Sequence, residues 1–225
     1  MPVVLCFGDS NTHGSHPARV GQVGSRFDRE TRWPGAMAAE LGSDWYVIEE
    51  GQGGRTTVHN DPIEGVHKNG ETALLSILES HKPIDVIIIM LGTNDLKKRF
   101  DVTGHDIAKS VGKLAGIALN NGHAAKALLV CPPLVVESGP MAEMFTGAEQ
   151  RGASLPARLA QMAADIGTGY LDANSMICVD PVDGVHFDAA AHKLLGQTIA
   201  TRVQAMMNEE NGQLSKSQRS SGVAL

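Results

Sequence analysis

Short apolar runs that end in polar, glycine-rich turns alternate along this chain with segments of helical period. Val3-Val4-Leu5-Cys6-Phe7 reads as a buried strand and breaks at Gly8 into Asp9-Ser10-Asn11-Thr12-His13-Gly14. A second strand, Trp45 to Glu50, stops at Gly51-Gln52-Gly53-Gly54-Arg55-Thr56-Thr57. The third, Asp85 to Leu91, is apolar from Val86 onward, as a central parallel strand is, and runs into Gly92-Thr93-Asn94-Asp95. Ala127 to Val130 is the fourth strand, ended by Pro132-Pro133, and Tyr170-Leu171 a short fifth.

Helices fall between the strands. Pro34 opens one that ends near Leu41, with Gly42 just past it. Glu71 to His81 carries Leu74, Leu75 and Leu78 at helical spacing, and Pro83 follows its end. Asp106 to Leu119 is a longer helix, with Thr103 as N-cap and Asp106 three residues on. Leu155 to Ile166 is another. Asp188 begins a last helix that reaches about Met207, with Ala189, Leu194, Leu195, Ile199, Val203 and Met206 on its apolar face. Ser15 to Thr31 and Val58 to Lys68 read as loops, the first overhanging the strand ends. Leu134 to Gly147 reads as a loop with a short helix over the same edge, and Asn174 to Val179 is ambiguous. This alternation predicts an α/β fold of three layers, a five-stranded parallel sheet of flavodoxin-like type with helices on both faces.

At 225 residues the chain fits one domain, residues 1–207, followed by a polar tail, residues 208–225. A net charge of −6 argues against a nucleic-acid partner, and Lys97-Lys98-Arg99 reads as a solvated loop. No apolar stretch nears the ~20 residues that span a bilayer, so no membrane partner is expected. Cys6, Cys131 and Cys178 are far apart and odd in number, which suggests reduced thiols in the cytoplasm. The histidines lack metal-ligand spacing, and neither a metal nor a cofactor is expected. Trp33 and Trp45 are read as packing residues.

In a parallel sheet the polar turns after the strands open on one edge. That edge gathers Ser10, the glycine turn at Gly51 to Gly54, the Asn94 amide and, from just before the last helix, Asp183-Gly184-Val185-His186. A serine, backbone N–H donors, an amide, a carboxylate and an imidazole are the parts of an acyl-transfer site. Phe7-Gly8-Asp9-Ser10-Asn11 resembles the first block of the GDSL or SGNH hydrolases, with Asn11 where the family has leucine. Gly54, Gly92-Thr93-Asn94-Asp95 and Asp183-Gly184-Val185-His186 resemble the remaining blocks, in order, so the resemblance covers residues 3 to 205. In detail it is similar to the bacterial arylesterase branch, which includes oligomers that pass acyl groups to alcohols and to peroxide.

The resemblance implies a serine esterase acting on short-chain acyl esters, with Ser10 as nucleophile, His186 as base and Asp183 orienting the imidazole. It implies an oxyanion hole of the Ser10 and Gly54 backbone N–H groups and the Asn94 side-chain amide, and a homo-oligomer with small-molecule ester substrates. A carbohydrate-ester deacetylase or a thioesterase would use the same triad. The alternative from another class is a nucleotide- or flavin-binding module whose glycine turns cradle phosphate, although no dinucleotide fingerprint or P-loop is present. Asp9 is read as a turn cap, Asp95 as structural, and His13 as the further histidine to be weighed for the pocket wall. Asn11 is expected to change the shape of the pocket.

Overall fold

The computed structural model describes residues 1–18, 25–120 and 122–220, with side chains of the last helix described as far as Asn208. Its strands are β1 (Val3–Gly8), β2 (Tyr46–Gly51), β3 (Ile84–Met90), β4 (Ala124–Cys131) and β5 (Gly169–Asp172). Its helices are α1 (Ser10–His13), α2 (Trp33–Leu41), α3 (Gly70–His81), α4 (Gly104–Asn120), α5 (Ala148–Gly152), α6 (Leu155–Asp165) and α7 (Ala189–Ser220). The five strands lie in the order β2-β1-β3-β4-β5, all pairs parallel, so the expected flavodoxin-like sheet is observed.

Pleating sends alternate side chains to opposite faces, and each face has its own core. Leu5, Phe7, Ile87, Ile89 and Leu129 pack with Leu74 of α3, Val111 and Leu114 of α4 and Leu159 of α6. Val4, Cys6, Val86, Ile88, Met90 and Leu128 pack with Trp33 and Met37 of α2 and Leu195, Ile199 and Val203 of α7. Strands buried on both faces must be apolar at every position, which is why β3 reads as a continuous Ile run.

The strand order reverses between β1 and β3, and in such sheets that crevice at the C-terminal strand ends is where ligands bind. Gly8 of β1 is level with Gly51 of β2 and Met90 of β3, so the three polar turns that follow leave the sheet at one height.

Among the elements that differ from the sequence reading are α1 and α7. α1 falls within what the sequence presents as a polar break, because four residues show no periodicity. α7 was expected to stop near Met207 but continues to Ser220, since no proline interrupts that stretch. The expected tail from Asn208 therefore begins as helix, and residues 221–225 lie outside the described residues. So do 19–24 of the predicted overhanging loop. The predicted segment over the edge contains a 3-10 turn at Gly139–Met141.

Candidate active site

Ser10 is the first residue of α1, separated from the end of β1 by Asp9 alone. Asp9 caps this helix, its Oδ1 accepting from the Asn11 amide at 2.9 Å. The first amides of a helix have no intrahelical acceptor, which leaves the Ser10 N–H free to serve a ligand. The serine is nearly buried, 7 % exposed, and its hydroxyl lies 3.0 Å from His186 Nε2.

His186 and Asp183 come from a turn ahead of α7 that Asp180 organises. The Asp180 carbonyl accepts from Gly184 N at 2.8 Å, and its Oδ1 accepts from Val182 N at 2.8 Å. Gly184 has φ +69°, and a Cβ there would collide with the Val136 carbonyl of the segment laid across the turn. His186 Nδ1 sits 2.6 Å from Asp183 Oδ2. With Nδ1–H donating to that carboxylate, Nε2 is the nitrogen left to accept the Ser10 hydroxyl. Asp183 Oδ1 also accepts from the amides of Val185 and His186, each at 2.9 Å, and Oδ2 from Ala18 N at 2.5 Å. Burial opposes the charge on Asp183, but the His186 ring and these amides outweigh it and hold the carboxyl down at about 2.

Asn11 is also buried, and its amide donates to the Val185 carbonyl at 3.0 Å. It ties α1 to the histidine turn and is not among the residues lining the cavity, contrary to the expected effect on pocket shape.

The Gly54 turn is shaped by Arg55, whose guanidinium donates to the Gly8 carbonyl at 2.8 Å and to the Glu50 carbonyl, and stacks 4.3 Å from the Phe7 ring centroid. Gly54 has φ +78°, and its N–H has no acceptor among the described residues. The Asn94 amide donates to the Arg55 carbonyl at 3.1 Å and, at a long 3.4 Å, toward Asp9 Oδ2. The second proton is thus only weakly engaged. Asp95 stays structural, accepting from the Thr57 amide at 3.0 Å and the Thr57 hydroxyl at 2.5 Å. Burial pushes the Asp9 carboxyl up to about 6, against the pull of the Asn11 amide and the His186 and Arg55 charges.

Ser10, Gly54, Asn94 and His186 line one cavity of about 360 Å³. Met141, Met144, Phe145 and Val185 give it an apolar side; Glu64 and Lys97 give it a charged one. His16, not His13, reaches the wall. Lys97 departs from the solvated-loop reading. It is buried, held 3.4 Å from Asp61 and 2.5 Å from Glu64, because the loop after Gly54 brings two carboxylates over it. Sequence spacing gave no sign of this, since the partners lie 33 and 36 residues away. Among the described residues no group of three or more His, Cys, Asp and Glu could hold a metal ion.

Residues 6–194 match the family model described as the GDSL-like Lipase/Acylhydrolase family. Among solved structures the chain is similar to Est24, a carbohydrate acetylesterase from Sinorhizobium meliloti, at 38% identity and TM-score 0.86, covering 92% of this chain and 100% of that one. It is similar to the native aryl esterase of M. smegmatis at 38% identity and TM-score 0.85, covering 91% and 99%. A second carbohydrate acetylesterase family member from S. meliloti matches at 32% identity and TM-score 0.84, covering 92% and 100%. No curated protein matches the sequence.

Proposed function

The chain belongs to the GDSL-like lipase/acylhydrolase family and is a carboxylic ester hydrolase of the serine type, and we propose that it cleaves short-chain acyl esters with Ser10, His186 and Asp183. The observation that carries this reading is the continuous relay from the Ser10 hydroxyl, 3.0 Å from His186 Nε2, to His186 Nδ1, 2.6 Å from Asp183.

A serine hydroxyl is a weak nucleophile at neutral pH and needs a base. His186 Nε2 takes its proton as Oγ bonds to the ester carbonyl carbon. The resulting oxyanion is held by the N–H groups of Ser10 and Gly54 and by the Asn94 amide, which exchanges its long contact to Asp9 for the stronger charge. Collapse of the tetrahedral intermediate breaks the bond to the alcohol, which leaves with the proton from His186. The same nitrogen then deprotonates water, or an acceptor alcohol or peroxide, which attacks the acyl-serine and frees the enzyme. Asp183, held near pKa 2, stays ionised throughout and stabilises the imidazolium.

The phosphate-cradling alternative is disfavoured because the cavity holds the relay of Ser10, His186 and Asp183, which phosphate binding does not need, and because the chain belongs to a hydrolase family. A homo-oligomer is supported by the exposed Val136 and Met144, the latter lining the cavity, and a monomer by light scattering would refute it. The free cysteines fit a reducing compartment, the cytoplasm.

The direct test is p-nitrophenyl acetate turnover by wild type and Ser10→Ala, with a phosphonate label mapped by mass spectrometry. The expected result is turnover lost in the variant and the label on Ser10. Undiminished turnover without Ser10, or a label on another residue, would overturn the assignment.

A further inference from the structure

The charged side of the cavity is built around Glu64, and its two carboxylate oxygens are in different situations. Oε1 is fully engaged, accepting from Lys97 Nζ at 2.5 Å and from Arg99 Nη2 at 2.7 Å. The backbone N–H groups of Ile63 and Glu64 donate to Asp61 Oδ1, each at 2.9 Å, and Asp61 Oδ2 also faces both cations. The carboxylate is therefore clamped rather than waving in solvent. Oε2 has no donor among the described residues, and it lies flat against Gly54, where a Cβ would collide with it. Glu64 lines the cavity that contains Ser10 and His186, and its side chain is 30 % exposed, so Oε2 is open to whatever occupies that cavity.

A carboxylate oxygen can only accept, so its ligand must donate. Three cations already stand beside it, Lys97 and Arg99 on its own carboxylate and Lys68 next to Gly54, where Lys68 Nζ donates to the Gly53 carbonyl at 2.7 Å. A positively charged ligand would be repelled there, and a neutral hydroxyl would not. A short unsubstituted acyl group has no donor to offer, so the hydroxyl belongs to the alcohol half of the ester.

We infer that Glu64 forms a hydroxyl-binding subsite beside Gly54, and that it selects short acyl esters of polyhydroxy alcohols, sugars being the chemical class. This rests on the serine-esterase reading of the same cavity. It adds a specificity-determining residue on a loop outside the matching sequence blocks.

The test compares kcat/KM for a monoacetylated methyl glucoside with kcat/KM for p-nitrophenyl acetate, which carries no hydroxyl, in wild type and Glu64→Ala. Asp61 remains to pair with Lys97 and Arg99 in the variant, and circular dichroism checks its fold. The expected result is a ratio, sugar acetate over aryl acetate, that falls about tenfold on loss of a charge-assisted hydrogen bond, chiefly through KM of the sugar acetate. Should the alanine variant not fold, Glu64→Leu removes the acceptor at similar volume and its ratio is read in the same way. A ratio within twofold of wild type would overturn the inference. Ser10→Ala run beside it separates the two readings: both substrates turned over without Ser10 would sink the nucleophile assignment instead.

Discussion

Asn11 stands where leucine gives the family its letters, and the structure turns it into a strut. Its amide is the donor for the Val185 carbonyl, one residue before His186, the proposed base. Asn11→Ala leaves that buried acceptor unpaired, at a cost of about 1–3 kcal/mol, and frees the histidine turn from α1. The expected outcome is a lower urea midpoint with kcat reduced more than KM. An unchanged kcat would show that Asn11 does not position His186. Asp183→Asn keeps the shape of the triad but lets the imidazole take the wrong tautomer, and kcat should fall about 10³–10⁴-fold in steady-state assays. That Ser10, Gly54 and Asn94 lie at one sheet edge is legible because chemistry-bearing residue types follow β1, β2 and β3, and Asp183 and His186 join them from the turn ahead of α7; the roles of all five are the proposal. Glu64 and the strut role of Asn11 are not legible in the sequence, because their meaning depends on partners 33 and 174 residues away.

At the level of elements, signals carried by adjacent residues were read well. Thr103 and Asp106 form the predicted reciprocal cap, with Asp106 Oδ2 accepting from Thr103 N at 3.0 Å and Thr103 Oγ1 accepting from Asp106 N at 3.4 Å. Thr103→Ala should cost about 1 kcal/mol, seen as a lower Tm with esterase activity retained. A variant as stable as wild type would make that cap ornamental. The Asn69 cap of α3, whose Oδ1 accepts from Glu71 N at 2.9 Å, was missed because it sits in a loop without periodicity. β4 proved longer than its apolar run, Ala124–Cys131, because pairing with β3 extends strand geometry past the hydrophobic centre. α1 was invisible for the opposite reason: it is held by a cap and by its neighbours, not by a pattern of its own.

For the whole molecule, buried groups shape the response to acid, His192, Asp9 and Asp183 among them. Burial lowers His192 to about 4, against an ordinary 6.5, where its Nδ1 accepts from Trp33 N at 3.3 Å. Its stabilisation is complete above pH 6.5 and lost as pH falls through 4. Asp9, raised to about 6, acts in the opposite sense: the folded state keeps a proton that the unfolded chain releases above 3.8, so its contribution shrinks as pH rises through 6. Asp183, held at about 2, stabilises above 3.8 and loses this as pH falls toward 2. The first two nearly offset between pH 4 and 6, so urea midpoints should be level there and fall steeply below 4. Asp9→Asn should remove the offset and make the decline begin near pH 6; a decline unchanged in that variant would refute the account. One further consequence follows from where the relay sits on the chain. The Ser10 hydroxyl and the His186 ring proposed to activate it are 176 residues apart. During synthesis the proposed nucleophile is therefore made well before its proposed base, and a chain interrupted between the two would carry the serine without the imidazole.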